Sequence, residues 1–358
     1  MIRNSLSVVM LFLTCVCNAA RLGEGAALAT QALEAPSRSR VGGELQFRFK
    51  QGDKFSLVSV NETKTDQLSP EPDSGEQVEQ QTLRLRCDLD VEEVEPDGCA
   101  WAKYTYRQVA LKVRGKDADV DYDSDANQLP TGRDRRAGIP LKVLPFYLAI
   151  GESFFVRVTP QGRITNVNGL SAVVGNAKSK FPNVAIKDQL IQVIDRQFAE
   201  DKIRRSLEGQ LAVFPDANSG PIGIGDTWSS TQRADEDRVA TERTFRLKEC
   251  RDDVAVVDVN VVVASDANAG PISIGQMKAK SEVSGLGTGQ IEIEQSTGRI
   301  INSALTQNIV AKITFLPEGV IRRPPPPPAP TRTHIVTTFQ MVKRDSDQPP
   351  VLSKVEGP

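Results

Sequence analysis

Ser153-Phe154-Phe155-Val156-Arg157-Val158-Thr159-Pro160-Gln161-Gly162-Arg163-Ile164-Thr165-Asn166-Val167-Asn168 decides the fold, because it reads as a tight β-hairpin and returns in variant form near residue 300. Phe155, Arg157 and Thr159 alternate with Phe154, Val156 and Val158, the period of two that marks a strand. Thr159-Pro160-Gln161-Gly162 then supplies the Pro and Gly that a turn with special φ requires. The second copy runs from Gly289 to Asn302, with Ile291 and Ile293 ahead of Gly298-Arg299-Ile300 and one extra residue in its turn. The recurrence predicts two related β units.

Working outward, alternating segments predict strands over 44–49, 55–60, 82–94 and 99–113, as expected of an antiparallel sheet with one wet face. The acidic, Pro- and Ser-containing stretch 65–80 reads as a loop. Pro182-Asn183 opens a helical segment with Ile186, Leu190, Ile194 and Phe198 at spacings of four, continued after a break by Ile203, Leu207 and Leu211. The chain then restarts: Gly225-Asp226-Thr227-Trp228 echoes Gly52-Asp53-Lys54-Phe55, and residues 245–263 echo the earlier long hairpin. The expected fold is α+β and mainly antiparallel β, with two strongly curved β-meander units joined by an amphipathic helical segment. The expected divisions are a signal peptide over 1–19 and a flexible leader over 20–43. A first unit over 44–181, a helical connector over 182–214, a second unit over 215–343 and a disordered tail over 344–358 follow.

Arg3, a short apolar run from Leu6 and the small residues Ala19 and Ala20 have the form of a secretory signal peptide. Thr14 and Val16 precede Cys15 and Cys17, so lipidation is not expected, and a secreted or periplasmic protein without a transmembrane segment in the mature chain is. A formal charge of −2 without a basic cluster argues against nucleic acid as a partner. Past the signal peptide the cysteines are Cys87, Cys99 and Cys250. If Glu95-Pro96-Asp97-Gly98 is a hairpin turn, Val94 faces Cys99 and Cys87 faces Tyr106. Seven residues of offset then separate Cys87 from Cys99 by about 24 Å, well over the roughly 7 Å that a disulfide spans. Three buried thiols are expected.

Residues that could carry chemistry are few. His334 is the one histidine, so triads, His general bases and His-rich metal sites have almost nothing to draw on, and a surface role at the head of a strand is expected for it. Asp117, Asp119, Asp121, Asp123 and Asp125 would line one face of a strand, where a hard cation such as Ca²⁺ could relieve their repulsion. The calcium-loop template is not met, since Ala126 and Gly132 stand where its Gly and Glu belong; a solvated edge or loop is the preferred reading and the cation site the alternative. Gly285-Leu286-Gly287-Thr288-Gly289 is followed by a strand where a phosphate loop needs a helix, and reads as turn chemistry. Residues 216–225 and 266–275 match closely and read as a shared turn entering two strands, with paired ligand or partner loops as the alternative. The proline run 322–330 reads as a stiff loop between strands, the alternative being a docking segment.

Gly52-Asp53-Lys54-Phe55, Tyr122-Asp123-Ser124, Gly162-Arg163-Ile164, Pro215 with Gly225-Asp226-Thr227-Trp228, and Gly298-Arg299-Ile300 together resemble an uncharacterised family of secreted bacterial proteins and lipoproteins, over roughly residues 44–343. The chain departs from that pattern in a longer Pro215–Gly225 interval and in the inserted proline run. The resemblance implies a duplicated β-meander and brings no activity, cofactor or catalytic residue. The expected function is non-enzymatic and cofactor-free: a binding or carrier protein for an apolar small molecule or lipid, or else a structural or protein-interaction module of the cell envelope.

Overall fold

The structure, a computed structural model, describes residues 44–67, 77–115, 119–126, 143–180, 187–234, 239–266, 270–274, 277–316 and 330–344. The expected signal peptide and leader, the centre of the 65–80 loop, Asp117, residues 181–186, parts of the second matched loop, the prolines of 322–329 and the tail beyond 344 lie outside them.

Among the described residues thirteen antiparallel strands form one sheet. In chain order they are β1 (Lys54–Gln67), β2 (Gln77–Val94), β3 (Ala100–Arg114), β4 (Asp119–Asp123), β5 (Ser153–Val158), β6 (Ile164–Asn168), β7 (Thr227–Ala234), β8 (Val239–Arg251), β9 (Val254–Ser265), β10 (Ile272–Ile274), β11 (Met277–Glu294), β12 (Ile300–Phe315) and β13 (Thr331–Lys343). The spatial order is β6-β5-β3-β2-β1-β13-β12-β11-β9-β8-β7, with β4 on β3 and β10 on β11. Pairing of β1 with β13, from Phe55 opposite Lys343 to Gln67 opposite Thr331, joins the first and last described strands at the middle of the sheet. Among the described residues four α-helices accompany it: α1 (Leu144–Ala149), α2 (Leu170–Ser179), α3 (Lys187–Gln197) and α4 (Glu200–Leu211).

Both hairpins expected from the opening stretch form, as β5–β6 and β11–β12. Gly162 and Gly298 take φ of +79° and +75°, the left-handed region open to glycine, and each turn is flanked by a β-bulge. The Gly-Asp openings also share one hydrogen-bond pattern. Asp53 Oδ2 accepts from the Lys50 N–H at 2.9 Å and the Gly52 N–H donates to Val91 at 2.8 Å; Asp226 Oδ2 accepts from Gly223 at 2.8 Å and Gly225 donates to Leu247 at 2.7 Å.

Several expectations need correction. Residues 44–49 alternate as read, with Leu45, Phe47 and Phe49 buried, yet they form no strand. Their amides are spent on two different turns: Phe47 N–H donates to Pro160 O at 2.7 Å and Arg48 N–H to Thr297 O at 2.8 Å. The segment therefore ties the tips of the two hairpins together, and Phe47 meets Phe214 edge-on at 4.8 Å. The 65–80 loop is shorter than expected, because Thr65–Gln67 pair with Gln77–Glu79. Cys87 does lie opposite Tyr106, but bulges at Arg86/Cys87 and Val91/Glu93 shift the register, and Val94 faces Ala100 instead of Cys99. Cys87, Cys99 and Cys250 are free thiols, the last only half-buried. Helices α1 and α2 stand inside what was read as a β unit; Leu148, Val173 and Ala177 are buried on the sheet, beside the rings of Tyr104, Tyr106, Phe146, Phe154 and Phe198. The two matched loops differ where both are described: Ile222–Ile224 form no strand, whereas Ile272–Ile274 are a short strand on β11.

Gly285, Gly287 and Gly289 are not a turn but the interior of β11. Their positions oppose Ile309, Gln307 and Leu305 of β12, on the concave face. A Cβ on Gly289 would lie 2.2 Å from the Ala304 carbonyl oxygen, so β12 folds over β11 where side chains are missing. That fold curls the sheet into a trough.

Candidate functional site

The trough is closed by α4. Glu200 and Asp201 occupy its first turn, where carboxylates complement the helix dipole, and pair with Arg204 at 2.5 Å and Arg205 at 2.7 Å one turn on. Ile203, Leu207 and Leu211, spaced by four, are buried against the concave face, as their periodicity predicts. Ala199 (φ −58°, ψ 135°) separates α4 from α3, and Ala212 (φ −81°, ψ 68°) ends α4 in an inverse γ-turn, the Val213 N–H donating to Leu211 O at 2.9 Å.

Side chains lash the helix to both edges of the sheet. On one side Glu208 Oε1 accepts from the Ile164 N–H of edge strand β6 at 3.0 Å. On the other, Gln232 Nε2 of edge strand β7 donates to Arg205 O at 3.1 Å and Trp228 Nε1 to Val213 O at 3.0 Å. Arg243 of β8 reaches from the trough floor to Gly209 O, its Nη1 donating at 2.6 Å. A helix wedged between two edges covers backbone that would otherwise recruit another strand.

Burial raises the pKa of Glu208 above the usual carboxylate range, opposed by the Ile164 N–H and by Arg163 and Arg204. A raised carboxyl favours the folded state in its protonated form. Its contribution is therefore fully present below the unfolded value, about 4.3, and is lost as the pH rises through the folded one. Glu208→Gln keeps an acceptor for Ile164 and does not ionise. Urea unfolding at a series of pH values is expected to find the variant more stable than wild type at neutral pH, with the advantage fading below about pH 4. An advantage that grows on acidification would contradict this assignment.

Beneath α4 lies a cavity of about 200 Å³. Its walls come from the helix, from Phe146, and from concave residues of β1, β2, β3, β8, β9, β11, β12 and β13. Leu83, Leu85, Leu305 and Phe146 are only half-buried there. The charged residues in the lining are Lys202, Arg205 and Arg243, with no carboxylate among them. Cys87 also faces this space, but burial pushes its thiol up to about 12 against a hydrogen bond with Tyr104, so it carries no thiolate at neutral pH.

The sequence-predicted cation ligands lie elsewhere. Asp119 and Asp121 both pair with Arg114, the second at 3.1 Å. Asp123 accepts from Gln108 Nε2 at 2.9 Å, and Asp125 lies 3.5 Å from Arg86. The repulsion that would draw in a cation is thus met by arginines of β2 and β3. Among the described residues the one group with metal-binding spacing is Glu95, Asp97 and Cys99 at the β2–β3 turn. Arg157 pairs with both its carboxylates, at 3.0 Å from Asp97 Oδ2, and holds Glu95 below the usual range. His334 is exposed, its Nδ1 2.9 Å from Asn308 Oδ1. Sequence reasoning missed Arg243 altogether; alternation places it on the face of β8 shared by Phe245 and Leu247, which was the available signal.

A family model described as "Family of unknown function (DUF6263)" matches residues 97–300. No curated protein matches. Among solved structures, "Lipid-protein interactions in lipovitellin" is 12% identical at a TM-score of 0.39, covering 85% of this chain and 26% of that one. The chain thus spans about a quarter of lipovitellin's length. An outer membrane channel from Pseudomonas putida F1 is 8% identical at a TM-score of 0.19, with 83% of this chain and 97% of that chain covered. Among the described residues no helix is long and apolar enough to cross a membrane.

Proposed function

This chain belongs to the family of unknown function DUF6263, and we propose that it is a secreted or periplasmic, non-enzymatic binding protein that holds a small apolar ligand between α4 and the concave face of its sheet. The observation that carries this reading is the cavity of about 200 Å³, walled by aliphatic and aromatic side chains of eight strands and roofed by one helix. A concave, mainly apolar space with a few polar groups is how small-molecule sites are built. The roof is bounded by non-helical residues at Ala199 and Ala212, where a change of backbone angles would lift it. The same reading treats the chain as two curved β-meander units, each opened by a Gly-Asp turn, with the helices as their connector.

Native mass spectrometry of the protein purified from its own cell envelope tests it. A stoichiometric apolar molecule is expected, with mass recovered in an organic extract. A clean apo mass, under conditions in which known lipid carriers keep their cargo, would sink it. One observation favours a second reading, an interaction module of the envelope: Leu286 and Val262 face each other across β11 and β9 and are 67% and 48% exposed on the convex face.

A further inference from the structure

We propose that the ligand is an aliphatic anion, its carboxylate or phosphate head bound by Arg243 and its chain laid along the apolar wall of the cavity; this rests on the binding function proposed above. Arg243 lines the cavity and is 8% exposed. A guanidinium stays charged under all conditions a protein survives, and burying one without a counter-charge is costly. Among the described residues no carboxylate is paired with it; its one hydrogen bond goes to the neutral carbonyl of Gly209. The nearest acid along α4, Glu208, is turned away to the Ile164 N–H of β6. The floor of the site therefore holds guanidinium donors beyond the one given to Gly209, and a positive charge that the described residues leave unanswered.

The remaining lining fits the other end of such a molecule. Leu57, Leu85, Val259, Ile291 and Phe339 present apolar surface. The volume of about 200 Å³ equals roughly seven waters of liquid, enough for a chain of about that many methylene-sized groups. Lys202 stands on the helix side of the same space and adds to a field that attracts anions, whereas Arg205, also in the lining, is paired with Asp201. A guanidinium with one nitrogen committed to a carbonyl keeps donors in a planar fork that suits carboxylate and phosphate oxygens alike.

Calorimetric titration of the full mature chain with octanoate, octyl phosphate, octanol and octylamine tests the proposal. Octanoate or octyl phosphate is expected to bind at least about tenfold more tightly than octanol, with octylamine weakest; the order of the first two tells a carboxylate site from a phosphate site. Arg243→Met is expected to lower the anions to the level of octanol. Arg243→Lys keeps charge without the fork and is expected to fall between. Octanol binding as tightly as the anions to wild type would overturn the anion proposal while leaving an apolar-ligand protein. Binding of none of the four would overturn both. The wild-type ranking decides the matter even where a variant does not fold.

Discussion

Gly162→Ala is expected to destabilise the protein by about 2–5 kcal/mol, combining a left-handed backbone with a steric collision. Gly162 has φ +79°, where a Cβ costs roughly 1–2 kcal/mol. A Cβ there would also lie 2.0 Å from the carbonyl oxygen of Leu211, the last residue of α4. The hairpin tip and the helix end must then separate, and forcing atoms into a packed contact typically costs about 1–3 kcal/mol. Gly52→Ala is the control: its φ of +85° is as unfavourable, but nothing lies within 4 Å of the added carbon. Urea unfolding of the two variants separates the terms. Equal losses would mean that the hairpin tip does not abut α4, and the roof of the cavity would need another support.

Gly289→Ala is expected to cost about 2–4 kcal/mol and to spoil ligand binding in whatever protein still folds. Strand backbone at Gly289 is ordinary, so the cost arises from space alone. The added carbon would meet Ala304 O at 2.2 Å and Leu305 Cα at 2.9 Å, atoms of the neighbouring strand that cannot rotate aside. Gly287 and Gly285 face β12 backbone in the same way, at 2.9 Å from Thr306 O and 2.7 Å from Asn308 O. Relief requires β12 to swing off β11, carrying with it β13 and β1, which hold one wall of the cavity. Gly175→Ala in α2 provides the contrast: no atom lies within 4 Å, and removing a helical glycine is expected to stabilise by about 0.5–1 kcal/mol. Chemical unfolding read alongside ligand titration checks both. A Gly289→Ala protein with wild-type stability would show that the fold between β11 and β12 is not set by the missing side chains.

Some of this architecture was legible one segment at a time. The β5–β6 and β11–β12 hairpins follow from alternation and from glycines at 162 and 298, and the buried stripe of Ile203, Leu207 and Leu211 from spacing by four. Such features depend on backbone angles and periodicities that a short stretch carries within itself. Where local pattern was shared by two structures, it misled. Residues 44–49 alternate as a strand does, because any extended segment with one buried side alternates, and only the distant Pro160 and Thr297 carbonyls determine that no ladder forms. Gly285 to Gly289 have the composition of a turn, and their place inside β11 depends on partners 20 residues or so away in β12.

By itself, then, the amino-acid sequence determined a mainly antiparallel β protein with paired hairpins and an amphipathic helix, since turn chemistry and hydrophobic period act over a few residues. Only the tertiary structure decided that the strands share one curled sheet, that α4 bridges its edges, and that Arg243 faces a cavity without a carboxylate among the described residues. These depend on register between strands and on which side chains meet across the trough, and such meetings join residues far apart in the chain, where no local periodicity records them.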